Sequence, residues 1–252
     1  MNRIEISDEE WVRLLPYLKT LPGIHVGLPD TCRLFISASL WILRSGAQWR
    51  RVLPSAHGKW NSVFKRFSRW CANGIWEKLL GYFSKQADFQ DVSIDGSVIR
   101  AHACAAGAAN STAGNEALGR PKGGFSCKIH ALCDALGMPI KSMLTGGQEA
   151  GCRQAIPLLG NVKALAVLAD KGYDTNELRG WLKEQGITAV IPPKSNRKEA
   201  VGCDFWHYKE RHAVECLFGK LKHYRRIATR YEKKAINYMG MLSFASVLLW
   251  LR

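Results

Sequence analysis

The spacing of apolar residues changes near residue 88, from a helical repeat to the alternation that is typical of strands. Before that point, Trp11, Leu14 and Leu15 fall on one side of a helix, and Ser7 with Glu10 forms a capping box at its start. The same repeat predicts four helices, over about residues 7–19, 31–44, 59–72 and 75–85. Residues 1–88 are therefore predicted to form an all-helical module.

Residues 89–252 carry strand and helix patterns in alternation. Strands are predicted at about residues 92–99, 125–134, 139–144, 164–169 and 188–191, and helices at about 152–159, 174–184 and from 208 onwards. This order predicts an α/β fold, a mixed sheet flanked by helices, and it is similar to the order of a ribonuclease H-like core. The segment of about residues 103–124 has no apolar repeat and is predicted to be a long mobile loop.

The excess of basic side chains indicates what the protein binds. A formal net charge of +15 and a pI near 9.6 favour a polyanionic partner, with nucleic acid ahead of an acidic membrane surface. Basic residues concentrate in segments 44–69 and 220–234, with aromatic residues between them, as in surfaces that pack on sugars and bases. The N-terminal module is therefore predicted to bind DNA as a helix-turn-helix, and a plain helical bundle is the alternative.

Cysteine usage and apolar segments indicate the compartment. The eight cysteines form no CxxC pair, which is typical of reduced thiols. No signal peptide opens the chain, and the apolar run of residues 241–251 is too short to span a bilayer. We therefore expect a cytoplasmic protein with no membrane partner, in which residues 241–251 form a packing helix.

Two aspartates occupy positions where strands seldom carry charge. Asp95 lies within an apolar strand, where aspartate is depleted and is costly to bury without a partner. Asp170 ends a buried strand, and ligands gather at the carboxyl ends of strands in open α/β sheets. Each of them alone is also compatible with an ordinary turn or strand-end residue. Asp174 is better explained as a helix N-cap, and Asp134 as a hairpin-turn residue that is kept as a reserve carboxylate.

A third carboxylate belongs to the helix predicted from residue 208. At about 100° per residue, Tyr208, Arg211, Glu215 and Lys222 fall within an arc of roughly 60°, and a separate apolar face lies mostly on the other side. The alternative is an ordinary Arg–Glu pair at i,i+4 on a solvated face.

Together these carboxylates suit phosphodiester chemistry. Asp95, Asp170 and Glu215 come from two strands and one helix, and three carboxylates can hold two Mg²⁺ ions for in-line displacement. No nucleophilic side chain is then required. Arg211 and Lys222 would lie beside the charge that develops on the phosphate.

The helix pattern resembles the signature of bacterial DDE insertion-sequence transposases, here Tyr208-x2-Arg211-x3-Glu215-x6-Lys222. The surrounding motifs are similar to those of the insertion-sequence-five family, and they begin at Asp95, Lys128, Ala169 and Arg225. The resemblance covers nearly the whole chain. It departs at Gly151, where many relatives have an aspartate.

By this resemblance the fold is ribonuclease H-like, and Asp95, Asp170 and Glu215 form a catalytic triad that binds two Mg²⁺ ions, for which Mn²⁺ can substitute. The residues expected to contact phosphate or DNA are Tyr208, Arg211, Lys222, Arg225, Arg226, Arg230, Lys128 and His130. The implied activity is DNA transposition, which comprises binding of terminal inverted repeats, strand cleavage, and strand transfer into double-stranded target DNA. Residues 89–252 would form the catalytic domain, and residues 1–88 the DNA-binding module. A homodimer is expected in the synaptic complex, at the bacterial nucleoid.

Two other functions are compatible with the same residues. One is a transposase-derived repressor that binds DNA without catalysis, and the other is a nuclease that cuts DNA without joining it. The presence of all three carboxylates favours a catalytic protein over the repressor.

Overall fold

The N-terminal part of the chain is helical. The computed structural model describes residues 5–22, 24, 26–52, 57–198 and 201–252. Its first helices are α1 (Asp8–Thr20), α2 (Pro29–Ser45), α3 (Trp49–Val52), α4 (Trp60–Ala72) and α5 (Ile75–Phe83). The apolar repeat predicts all of these except α3, because four residues are too few to display a period.

Helix α1 begins as its sequence predicts. The hydroxyl of Ser7 accepts a hydrogen bond of 3.1 Å from the Glu10 N–H, and the Glu10 carboxylate accepts one of 2.9 Å from the Ser7 N–H. Pro16 lies inside the helix without ending it. Helix α2 ends at Gly46, whose φ of +71° favours glycine.

A six-stranded mixed sheet forms the centre of the remaining chain. Its strands are β1 (Asp91–Ala101), β2 (Ser126–Asp134), β3 (Pro139–Gly146), β4 (Ala166–Leu168), β5 (Thr188–Val190) and β6 (Thr229–Arg230). The order is β3-β2-β1-β4-β5, and β6 pairs with the end of β1. Strands β1, β2 and β3 pair antiparallel, whereas β4 and β6 run parallel to β1 and β5 runs parallel to β4.

Helices connect and cover the strands. They are α6 (Ala155–Leu159), α7 (Asn176–Glu184), α8 (Phe205–Tyr208), α9 (His212–Lys222), α10 (Arg225–Ala228) and α11 (Ala235–Trp250). The predicted mixed sheet flanked by helices is confirmed. Strand β6 has two residues and helix α10 has four, so both are too short to be predicted from an apolar repeat.

The two faces of the sheet belong to different hydrophobic clusters. Val92 and Ile94 of β1 pack with α6 and α7 on one face. Ile99 of β1 and Ile129 of β2 pack on the other face, with the N-terminal helices and with α9, α10 and α11. Helix α11 contacts both α4 and α5, so the N-terminal helices share a core with the end of the chain. A domain boundary at residue 88 stays a prediction.

Helix α11 is buried over most of its surface. Within the described residues, no helix combines the length and the apolar character that a bilayer span requires. The loop at residues 103–124 begins with a 3-10 turn at Ala103–Ala105, and Gly119 forms a β-bridge with Ser126. The loop is anchored by Leu118, which is buried, and its mobility stays a prediction.

Candidate active site

Asp95 and Asp170 follow the same position on neighbouring parallel strands. The last paired residues of β1 and β4 are Ser93 and Leu168, and each aspartate lies two residues further on (93 + 2 and 168 + 2). Neighbouring strands lie about 4.8 Å apart, and residues at the same register point to the same face. The register therefore brings Asp95 beside Asp170 on one face of the sheet, at the point where β4 ends.

The Asp95 carboxylate is partly buried, with 23% of its side chain exposed. Its Oδ1 accepts a hydrogen bond of 2.6 Å from the Gly96 N–H, and its Oδ2 accepts one of 3.2 Å from Nη1 of Arg211. Burial raises the pKa of Asp95 above its ordinary value, and the Asp170 carboxylate adds to the rise, against the hydrogen bonds from Gly96 and Arg211. The site therefore favours a cation near Asp95.

Asp170 caps a 3-10 turn at Lys171–Tyr173, because its Oδ1 accepts a hydrogen bond of 2.8 Å from the Gly172 N–H. A Cβ atom on Gly172 would lie 2.9 Å from that same oxygen, so glycine allows the carboxylate to fold back over the turn. Tyr173 is buried beside both aspartates. Burial raises the pKa of Tyr173, and the charges of Asp95 and Asp170 raise it further.

The helix that carries Glu215 is not uniform. Helix α8 ends at Tyr208, a 3-10 turn covers Lys209–Arg211, and α9 begins at His212. The prediction of one regular α-helix from Tyr208 is therefore wrong over its first turn. At this turn the Lys209 carbonyl accepts the His212 N–H in the 3-10 pattern, and Nδ1 of His212 lies 3.0 Å from the same oxygen.

Arg211 connects the helix to the strand. Its Nη1 donates to Asp95 and its Nη2 donates to Oε1 of Glu215. The Arg211 side chain is only 16% exposed, whereas that of Glu215 is 57% exposed. The guanidinium carbon also lies 5.7 Å from the centre of the Tyr208 ring. The structure thus brings Tyr208, Arg211, Asp95 and Glu215 into one connected group.

The donor atoms suit a hard divalent cation, because Asp95, Asp170 and Glu215 offer carboxylate oxygens. Positive charge is already accommodated here, since the Arg211 guanidinium lies between two of the carboxylates. Among the described residues, however, no group of three or more His, Cys, Asp or Glu side chains is close enough to hold a metal ion. Coordination by all three carboxylates therefore requires the Arg211 contacts to open.

Two of the arginines expected to contact DNA are buried inside the protein. Arg226 donates a hydrogen bond of 2.8 Å to the Ala47 carbonyl and forms an ion pair of 3.3 Å with Glu232. Arg230 is completely buried, and it donates to three carbonyl oxygens, those of Glu232, Ala117 and Lys233. Their expected phosphate contacts are therefore wrong for this conformation. Lys222 and Arg225 are exposed.

Lys128 and His130 lie on the other face of the sheet. His130 is paired with Gly96 and Lys128 with Val98, and successive residues of β1 point to opposite faces, so neither side chain shares the face of Asp95. His130 is buried, with Nε2 2.8 Å from Oγ1 of Thr145. Burial, together with the nearby charge of Lys128, lowers the pKa of His130 to about 4. The expectation that His130 contacts DNA is wrong here.

Lys128 has an internal partner as well. Its Nζ donates a hydrogen bond of 3.3 Å to the Glu149 carbonyl. Its side chain also crosses Gly96 so closely that a Cβ atom on Gly96 would lie 2.6 Å from the Lys128 Cε. Lys128 therefore packs across β1 on the far face from Asp95, and its expected DNA contact is not supported.

The two aspartates set aside from the triad have structural partners. Asp134 is buried and accepts hydrogen bonds from the N–H groups of Asp88, Leu136 and Met138. Asp174 is not the N-cap of α7, because Thr175 takes that position. Both carboxylates are thus engaged within the fold.

Asp174 instead joins helix α7 to the segment that follows β5. It accepts hydrogen bonds of 2.6 Å from Nε of Arg179, 2.8 Å from Nη1 of Arg197 and 2.8 Å from the Lys194 N–H. Burial raises the pKa of Asp174, but these hydrogen bonds and guanidinium charges outweigh it and hold the pKa below its ordinary value. These contacts hold the segment after β5 against Asp174, which follows Asp170 by four positions in the sequence.

Gly151 faces Tyr173. A Cβ atom at Gly151 would lie 2.7 Å from the Tyr173 hydroxyl and 3.0 Å from its Cζ. An aspartate at this position would therefore force Tyr173 to move. Tyr173 follows Asp170 by three residues, and that proximity along the chain is the only sequence signal of its place beside the two aspartates.

Two family descriptions match the chain. Residues 6–80 match "Putative transposase of IS4/5 family", and residues 87–250 match "Transposase DDE domain".

Individual relatives agree with these matches. The chain is 41% identical over 130 residues to "Putative transposase for insertion sequence element IS6501" of Brucella ovis, covering 51% of this chain and 100% of the relative. It is 29% identical over 151 residues to "Putative transposase for insertion sequence element IS402" of Burkholderia cepacia, covering 52% of this chain and 69% of the relative.

One solved structure shares the fold. The piggyBac transposase, in a synaptic complex with hairpin DNA, aligns with a TM-score of 0.53 and 12% identity over 97% of this chain and 72% of that one. The predicted ribonuclease H-like fold is thereby confirmed.

Proposed function

The chain belongs to the DDE transposases of the IS4/5 family, and from that premise we propose that it cleaves and joins DNA at Asp95, Asp170 and Glu215. The observation that supports this assignment is the register of β1 and β4, which brings Asp95 beside Asp170 where β4 ends. Arg211 then links Asp95 to Glu215 of α9. Carboxylates from three separate elements would thus act on one phosphodiester bond.

A DDE domain depends on divalent metal, and we assign Mg²⁺, with Mn²⁺ as a substitute, to the oxygens of Asp95, Asp170 and Glu215. Two such ions supply activation of a water or a 3′-hydroxyl and stabilisation of the leaving oxygen. The protein supplies the orientation of the strand. Arg211 and Tyr208 lie next to the carboxylates and would hold the phosphate there.

The outer surface of α9 and the start of α10 would follow the DNA backbone. Lys222 and Arg225 are exposed at this place, and they stand three residues apart. Contacts of this kind are independent of sequence and weaken steeply with salt. They would position the duplex, while the N-terminal helices would recognise the terminal inverted repeats of an insertion sequence.

The partners of the reaction are then two element ends and a double-stranded target. A homodimer would hold the two ends together in the synaptic complex. Since the substrate is chromosomal DNA in a bacterium, the place of action would be the cytoplasm, at the nucleoid.

A strand-transfer assay tests this function directly. Labelled duplexes with the element end are incubated with protein, Mg²⁺ and plasmid target, and the products are separated by size. Joined product is the expected result. Cleavage without joining would indicate a nuclease, and binding without cleavage would indicate a repressor, so either outcome contradicts the proposal.

A further inference from the structure

Arg211 occupies the place between Asp95 and Glu215 where positive charge is needed. We infer that its guanidinium is the counter-ion of these two carboxylates in the DNA-free protein, and that a DNA phosphate draws it away. The carboxylates then bind a divalent metal more tightly when DNA is bound. This inference rests on the proposed function, because it assigns a control of metal binding to the same site.

Electrostatics explains why the free site needs a resident cation. Asp95 lies beside Asp170 on the neighbouring strand, and only 23% of the Asp95 side chain is exposed to water. Like charges in a partly buried site are costly unless a cation compensates them. Arg211 is the cation that contacts both Asp95 and Glu215, and its own side chain is largely buried between them.

The same contacts occupy the atoms that a metal would use. On Asp95, Oδ2 accepts from Arg211, while Oδ1 accepts from the Gly96 N–H. On Glu215, Oε1 accepts from Arg211. The described part of the chain holds no ready group of three metal ligands. A divalent ion must therefore compete with the guanidinium for these oxygens.

A DNA phosphate is the ligand that can move Arg211. The planar guanidinium binds phosphate oxygens in pairs, as it binds carboxylates. Tyr208, whose ring lies 5.7 Å from the guanidinium carbon, gives the arginine a neighbour that does not depend on the carboxylates. Glu215 is more than half exposed, so its side chain can turn freely once it is released. By linkage, DNA and metal then strengthen each other's binding.

Equilibrium binding of Mn²⁺, measured by electron paramagnetic resonance, tests this without a readout of activity. The protein is titrated alone and with a duplex that carries an already cleaved element end. Asp170→Asn, titrated with the same DNA, accounts for metal that the duplex binds by itself. Arg211→Gln is compared with Lys183→Gln, which removes one positive charge from an exposed position on α7. Circular dichroism verifies that each variant is folded.

Three results are expected. Wild-type protein binds Mn²⁺ about tenfold or more tightly with DNA than without it, within the usual range of such couplings. Arg211→Gln raises the affinity for Mn²⁺ in the absence of DNA toward the DNA-bound value. Lys183→Gln leaves the DNA-free affinity within about twofold of wild type, since its charge lies outside the carboxylate contacts.

The contrary results separate this inference from the proposed function. Equal Mn²⁺ affinity with and without DNA, or no gain in affinity for Arg211→Gln over Lys183→Gln, overturns the counter-ion role alone. If wild-type protein with DNA binds no more Mn²⁺ than Asp170→Asn does, the metal site itself fails, and the proposed function fails with it.

Discussion

Arg226 reaches across the chain to the Ala47 carbonyl, which accepts a hydrogen bond of 2.8 Å from its Nη2. Ala47 follows the end of α2, whereas Arg226 belongs to α10, so this bond ties the N-terminal helices to the other half of the protein. The same guanidinium neutralises the buried carboxylate of Glu232.

Replacing Arg226 is therefore expected to destabilise the fold. Arg226→Gln leaves Glu232 buried without its ion pair, which costs about 3–5 kcal/mol. Urea unfolding followed by circular dichroism measures the effect. Arg225→Gln is the matched control, because it removes the same charge from an exposed neighbour, and it should change the free energy of unfolding by about 0.5 kcal/mol or less. Equal effects of the two substitutions would show that the Arg226 contacts contribute little.

The ionisation of Asp174 makes the free energy of unfolding depend on pH. Its pKa is held below the ordinary value in the folded protein, so its ionised form stabilises the fold above the unfolded pKa of about 3.9. That contribution is lost as the pH falls from about 3.9 through the lower folded pKa. Asp174→Asn should lower the free energy of unfolding by about 2–4 kcal/mol at pH 7, because Arg179 and Arg197 lose their partner.

Urea unfolding at several pH values between 3 and 7 measures this dependence. The difference between wild type and Asp174→Asn should shrink toward the acid end. Glu177→Gln changes an exposed position in the first turn of α7 and serves as the control. Its free energy of unfolding should stay close to that of wild type at every pH. A constant gap between wild type and Asp174→Asn would contradict the assigned pKa shift.

Gly151 and Tyr173 are expected to be coupled. Gly151→Ala places a Cβ atom 2.7 Å from the Tyr173 hydroxyl, and such overpacking costs about 1–3 kcal/mol. Tyr173→Phe removes the hydroxyl, so the double variant should recover about 0.5–1 kcal/mol of that loss. Gly180→Ala in α7 meets open space and should be neutral or stabilising. If the two substitutions changed the free energy of unfolding additively, the Tyr173 hydroxyl would not be the group that a Cβ atom at Gly151 displaces.

The exposed cations should govern the salt dependence of DNA binding. Lys222→Gln and Arg225→Gln should each reduce the slope of log K against log salt by about one, because each phosphate contact releases about one counterion. Fluorescence anisotropy between about 50 and 200 mM salt gives that slope. Unchanged slopes for both variants would place the DNA on another surface.

The sequence predicts the centre of the fold well, for physical reasons that the strands make plain. Asp95 stands out because a charge within an apolar strand needs a partner, and Asp170 stands out because it ends a buried strand. In the folded sheet β1 then lies beside β4, which brings the two aspartates together. What the pattern does not show is that Arg211 binds Asp95 in addition to Glu215, since Asp95 lies 116 residues away along the chain.

The buried arginines show where sequence analysis fails. A run of basic residues from Arg225 to Arg230 suggests a DNA-binding surface, yet burial is decided by acceptors far away along the chain. The Ala47 and Ala117 carbonyls lie 179 and 113 residues from the arginines that they bind. Lys128 and His130 fail for a related reason. Polar and apolar residues alternate along the first part of β2, but the strand is buried nearly throughout, so the face that carries Lys128 and His130 is covered as well.

The central claim is that three carboxylates act together on DNA, and separate measurements of cleavage and binding test it most directly. Asp95→Asn, Asp170→Asn and Glu215→Gln are each assayed with Mg²⁺ on the same labelled element end. The account predicts that each substitution slows cleavage about 10³-fold or more, as loss of several kcal/mol of transition-state stabilisation requires, while affinity for the DNA stays near that of wild type. Cleavage at the wild-type rate by any one of them, or an equal loss of cleavage and binding, would contradict it.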